Sequence, residues 1–117
     1  MRLLFVGDVV SSAGCDFLAE KLYGIKKDYA IDITVVNGEN SAVGNGITKQ
    51  SCSALANIGA DVITTGNHAF KRRESLDMFD TVEHLLRPVN YSDEVIGKGV
   101  YTLDMGRCRV AVVNLMG

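Results

Sequence analysis

Three times within its first 68 residues this chain runs an apolar stretch into a glycine-containing turn that carries metal-type ligands. Leu3-Leu4-Phe5-Val6 leads to Gly7-Asp8, Ile33-Thr34-Val35-Val36 to Asn37-Gly38-Glu39-Asn40, and Val62-Ile63-Thr64-Thr65 to Gly66-Asn67-His68. Continuous rather than alternating apolar runs are what parallel strands covered on both faces look like. In an open α/β sheet, ligands bind outside the carboxyl ends of such strands. The repetition therefore places Asp8, Glu39, Asn40, Asn67 and His68 at one sheet edge, as a single polar cluster.

The segments between the runs supply the crossovers. Leu18, Leu22 and Ile25 share one face of a helix predicted over 13–27, with Ser11 or Ser12 as its cap. A glycine-rich loop, 41–47, precedes a second helix that Thr48 caps and that ends at Ile58, with Gly59 beyond it. A polar helix is expected from Arg73 to Phe79 and a further short one near 81–86, stopped by Pro88. Val100–Leu103 and Arg109–Asn114 then read as strands joined by the polar connection Asp104-Met105-Gly106-Arg107, a hairpin. The order β-α-β-α-β followed by an antiparallel pair predicts an α/β sheet with a mixed edge. An apolar strand followed only by Asn114-Leu115-Met116-Gly117 would stand as an exposed edge, so the domain is expected to continue.

Composition narrows the partners. A net charge of -2 offers no excess of Lys or Arg for a nucleic acid, and no strong case for one arises. Lys71-Arg72-Arg73 reads as a solvated helix start, with contact to a substrate phosphate as the alternative. Cys15, Cys52 and Cys108 are odd in number and far apart, which points away from a disulfide framework and towards a reducing, cytoplasmic setting. No stretch approaches the roughly 20 apolar residues that span a membrane, so no membrane partner is expected.

Asp8 and Glu39 are the anionic candidates, and carboxylates suit hard or borderline divalent ions. Asn40 and Asn67 add neutral carbonyl oxygens, and His68 an imidazole that serves as ligand or general acid. Two metals can clamp a phosphoryl group and activate water, and a histidine can protonate the leaving oxygen. Each turn also has a plainer reading: Asp8 as a helix cap, and Asn37-Gly38 and Gly66-Asn67 as turns with no further role. Their joint occurrence at three successive strand ends favours the metal site. A dinucleotide-binding reading fails, because no Gly-x-Gly-x-x-Gly follows the first strand and no phosphate-loop lysine motif is present.

Gly7-Asp8-Val9-Val10, Asn37-Gly38-Glu39-Asn40-Ser41-Ala42 and Gly66-Asn67-His68 resemble the successive motifs of the calcineurin-like metallophosphoesterases, and most closely their YmdB-type bacterial branch. That branch has Asn-Gly-Glu-Asn-Ala where most of the family has Gly-Asp, and lacks the histidine usually two residues after the first Asp. Arg87-Pro88-Val89-Asn90 and Gly97-Lys98-Gly99 are supporting likenesses. The resemblance implies an α/β/β/α sandwich, of which residues 1–117 are the N-terminal part. It implies two divalent ions, Fe or Mn, with Asp8 and Asn40 on one, Asn67 on the other, Glu39 bridging both, and His68 as proton donor. It further implies a di-metal phosphodiesterase acting on small phosphodiesters of the 2′,3′-cyclic nucleotide class.

Some positions depart from the branch. Ala69-Phe70-Lys71 stands where Trp-Asp is usual, keeping an apolar wall but reversing a charge, and Ser11 stands where Gly is usual. The family completes its site with three more histidines. Here only His68 and His84 occur, and His84 reads as a helix-surface residue. The alternative reading is therefore a truncated, non-catalytic α/β module with at most a weak metal or nucleotide site. Oligomeric state has no signature in the sequence.

Overall fold

The computed structural model describes residues 1–117. Four strands, β1 (Leu3–Val6), β2 (Ile33–Asn37), β3 (Val62–Thr64) and β4 (Leu85–Leu86), pair in parallel in the order β1-β2-β3-β4. Helix α1 (Ser11–Asp28) joins the first two strands and α2 (Lys49–Ile58) the next two. Both helices lie on one face. Cys15, Leu18 and Leu22 of α1 and Cys52 and Leu55 of α2 pack with Val36, Ile63 and Leu85 of the sheet in one apolar cluster. The two ends of α2 are as anticipated: the Thr48 hydroxyl accepts from Ser51 N at 3.2 Å, the Ser51 hydroxyl accepts from Thr48 N at 3.0 Å, and Gly59 closes the helix in the left-handed region. No helix is long and apolar enough to cross a membrane.

Three local expectations are corrected. No side chain caps α1; instead Ser11 adopts φ 59°, and its N–H donates to the Asn40 carbonyl at 2.9 Å. The left-handed region costs an L-residue roughly 1–2 kcal/mol, which gives glycine a physical reason to be usual at this position. Arg73–Phe79 is not one helix but a 3-10 turn, Arg73–Ser75, followed by the four-residue α3, Met78–Thr81. Residues 81–86 do not form a helix beyond that: Leu85 and Leu86 are pulled into the sheet beside Ile63 and Thr64, with both side chains fully buried. Burial on both faces overrides the helical spacing of a short apolar pair.

The antiparallel pair, β5 (Val100–Asp104) and β6 (Arg109–Val113), forms as expected, in the register Val100↔Val113 to Asp104↔Arg109. It does not extend the parallel sheet as a mixed edge. It is a second sheet stacked on the face opposite the helices, where Val112, with Tyr101, Leu103 and Val110, covers Ile33, Val35, Val62 and Leu86. Helices, parallel sheet and hairpin thus stack as three layers, α/β/β.

Asn114 fastens the layers. It is buried; its amide donates to the carbonyls of Thr65 (2.7 Å) and Leu86 (3.1 Å), its N–H donates to Gly99 O, and its own carbonyl accepts from Val89 N. One polar residue thereby ties the hairpin to the ends of β3 and β4.

Candidate metal-binding and proton-transfer site

Because β1, β2 and β3 are parallel and adjacent, their carboxyl ends meet at one edge, and the three turns arrive side by side. The Asn40 amide is the hub. Its Nδ2 donates to both Asp8 oxygens, at 2.9 and 3.0 Å, while its Oδ1 lies 2.7 Å from His68 Nδ1. A carboxylate only accepts, so Asp8 fixes which way the amide faces. The amide oxygen then faces His68 and can also only accept, so Nδ1 carries the hydrogen. That leaves Nε2 as the ring nitrogen able to hold or release a proton. An orientation set at the end of β1 is passed through Asn40 to the imidazole beyond β3.

Glu39 enters from the other side. Its Oε2 accepts from His68 N at 3.3 Å and lies 3.9 Å from His68 Nδ1. The carboxylate rests on the backbone at Gly66: a Cβ at residue 66 would sit 2.6 Å from Glu39 Oε2. The carboxylate thus packs closely on Gly66, and a side chain there would have to displace it. Asn67 lies on the same turn but is exposed, and the cluster's hydrogen bonds run through Asp8, Glu39, Asn40 and His68 without its side chain.

The donors suit a hard cation. Asp8 is exposed and receives one amide, which leaves oxygen lone pairs free, and Glu39 and the asparagine carbonyls are oxygen ligands of the same kind. The set is partial: no three His, Cys, Asp or Glu side chains gather closely enough to hold a metal by themselves. Thiolates contribute nothing here. Burial pushes the Cys52 thiol up to about 11 and, aided by neighbouring Asp16, raises that of Cys15, so both remain protonated. His84 is not on a helix. It precedes β4, its carbonyl accepting from Ile63 N, at the amino end of that parallel strand and away from the cluster.

Two supports were not foreseen from the sequence. Phe70, read from the sequence only as an apolar wall, anchors the His68 turn by packing edge-on to Phe79 (5.1 Å between centroids) and tilted against Tyr91 (5.8 Å). The Tyr91 hydroxyl in turn donates to Gly66 O at 3.3 Å. Arg72, read as part of a solvated basic run, instead turns its guanidinium onto the carbonyls of Val43 and Asn45 in the glycine-rich loop. A charge run carries no sign of this in one dimension; the signal available was a glycine-rich loop whose carbonyls would need donors.

A model of the YmdB-like protein family matches residues 4–117. The chain is 41% identical over 117 residues to a 2′,3′-cyclic-nucleotide 2′-phosphodiesterase of Bacillus subtilis, aligning over 100% of its own length and 44% of that protein's. Among solved structures, it is similar to a hypothetical protein from Thermus thermophilus, with a TM-score of 0.90 and 35% identity, covering 45% of that chain. It is also similar to a novel phosphatase from Mycoplasma pneumoniae, with a TM-score of 0.92 and 27% identity, covering 43%. The chain thus spans a little under half the length of the relatives it matches.

Proposed function

The chain belongs to the YmdB-like protein family, and on that premise we propose that it forms the N-terminal part of a metal-dependent phosphodiesterase acting on small phosphodiesters of the 2′,3′-cyclic nucleotide class. The observation that carries this reading is the oriented Asp8–Asn40–His68 relay at the convergence of three parallel strands, with Glu39 beside it. The name of the Bacillus relative supports the substrate class.

Asp8, Glu39, Asn40 and Asn67 would hold divalent ions, Fe or Mn, with the remaining ligands supplied from outside these 117 residues. When bound, such ions supply charge neutralisation at the phosphoryl group and a water of lowered pKa. The protein's own contribution is orientation and one proton. Asn40 keeps His68 Nδ1 protonated and its ring aimed, so that Nε2 can deliver a proton to the leaving oxygen. The Phe70 wall excludes water from one side of the turn.

The test is hydrolysis of a 2′,3′-cyclic nucleotide by the full-length protein supplied with Mn. His68→Ala should lower turnover by about 10²–10⁴-fold while metal content stays largely intact. Glu39→Ala should lose metal, since no carboxylate nearby replaces it. Absence of hydrolysis by the wild type, or a full rate in His68→Ala, would overturn the assignment. The partial ligand set favours a second reading for residues 1–117 in isolation: a module that binds metal weakly and turns over little or nothing. Stoichiometric binding of two Mn ions at micromolar affinity by that fragment would refute it.

A further inference from the structure

We infer that Arg72 is a positioning residue of this centre, clasping the glycine-rich loop to the His68 turn; the inference rests on the phosphodiesterase reading above. The segments 40–46 and 66–72 are joined at two points. At one end, Asn40 Oδ1 and His68 Nδ1 are 2.7 Å apart. At the other, Arg72 Nε donates to Asn45 O at 2.9 Å and its Nη2 donates to Val43 O. Arg72 follows His68 by four residues through a tight turn, Ala69 N to Gly66 O and Lys71 N to His68 O. Val43 and Asn45 likewise follow Asn40 within one compact loop. The guanidinium and the Asn40–His68 hydrogen bond are thus two fastenings of one clasp.

The loop is shaped to receive this side chain. Gly44, Asn45 and Gly46 are all left-handed, at φ 77°, 68° and 83°. Ala42 N donates to Gly46 O at 3.0 Å and Asn45 N to Ala42 O at 3.1 Å, which closes the turn and leaves the Val43 and Asn45 carbonyls to the guanidinium. A Cβ on residue 46 would sit 2.9 Å from Arg72 Cγ and 3.3 Å from Lys71 Cβ, so the arginine stem lies directly on the glycine backbone. Hydrogen bonds from a cation are stronger than neutral ones, and a planar fork can reach two carbonyls where an ammonium offers a point charge. Asp8 and Glu39 hold Asn40 and His68 from the strand ends; without the clasp the far ends of the two segments lose their joint, and a displacement on the order of 1 Å from productive geometry can cost about 100-fold in rate.

The experiment compares Arg72→Ala, Arg72→Lys and Gly46→Ala in the full-length protein. Arg72→Ala should lower kcat about 10- to 100-fold with KM and metal content within about twofold of wild type. Arg72→Lys should recover part of that loss, and millimolar guanidinium should partly restore the Ala variant. Gly46→Ala should lower kcat as well, through its clash with the Arg72 stem and through the strain of an L-residue at φ 83°, and the double variant should lose less than the product of the two, because the clash disappears once Arg72 is removed. A purely structural arginine would lower Tm while leaving kcat per folded molecule, and its response to guanidinium, unchanged; that result overturns the inference. Two readouts need no turnover: exchange of the Ala42 and Asn45 amides, expected to accelerate about tenfold or more in both Arg72 variants, and the His68 Nδ1 resonance, expected to shift. Unchanged exchange and an unchanged resonance in Arg72→Lys refute the clasp even where the Ala variant fails to fold. A wild type without hydrolysis refutes the phosphodiesterase reading instead.

Discussion

The two faces of the parallel sheet are finished to different degrees. The helix face is closed: Leu22, Ile47, Leu55, Ile63 and Leu85 are completely shielded there. On the opposite face the hairpin covers β2 to β4 but leaves β1 bare, with Leu3 48% and Phe5 69% exposed, while Leu4 and Val6, pointing the other way, are packed against the helix-side core. The ligand turns grow from strands rooted in the closed face. Their mutual geometry is set by that closed core, with Asn114 adding a tie from the second face at Thr65 and Leu86.

The contrast can be tested by substitution, beginning with the largest effect. Leu55→Ala, emptying a fully buried site between α2 and the sheet, should destabilise by about 2–5 kcal/mol in urea unfolding of the 117-residue chain. Phe5→Ala, removing a larger but exposed side chain, should change the same midpoint far less; equal losses would erase the distinction between the faces. Asn114→Ala leaves the carbonyls of Thr65 and Leu86 without its amide and should cost about 1–3 kcal/mol, with faster amide exchange around the His68 turn as the local readout. Ser11→Gly should act in the opposite sense, raising stability by about 1 kcal/mol in the same assay through relief of the φ 59° backbone.

The smallest effect belongs to the surface. The Lys49 ammonium, 2.7 Å from Asp77, holds that carboxyl below its ordinary range. A depressed carboxyl pKa adds stability that is present above the unfolded-state value and is lost as pH falls through the folded one. Asp77→Asn should therefore lower Tm slightly near pH 7 and differ from wild type less and less towards strong acid; a difference that grew in acid would reverse this sign. Exposure keeps the effect small.

Much of this is legible in the amino-acid sequence. The apolar runs and the polar residues after them located three of the four parallel strands and gathered Asp8, Glu39, Asn40 and His68, because burial and chain turning at strand ends leave local marks. What was missed depends on partners distant in sequence. Leu85-Leu86 became a strand only because β3 offers a pairing edge. The hairpin stacked on the sheet rather than extending it because alternation reveals that one face is buried, not against what. Asn114 looked like the tail of a strand, and Arg72 like solvated charge, until the carbonyls they serve came into view.

The strand order β1-β2-β3-β4 has a consequence for biosynthesis. Each strand pairs with the one made just before it, so the sheet can be laid down in the order in which the ribosome delivers it, with no strand waiting for a neighbour yet to be translated. The Asp8 turn emerges first, Asn40 joins it, and the relay can first exist once His68 has left the exit tunnel, well ahead of the hairpin.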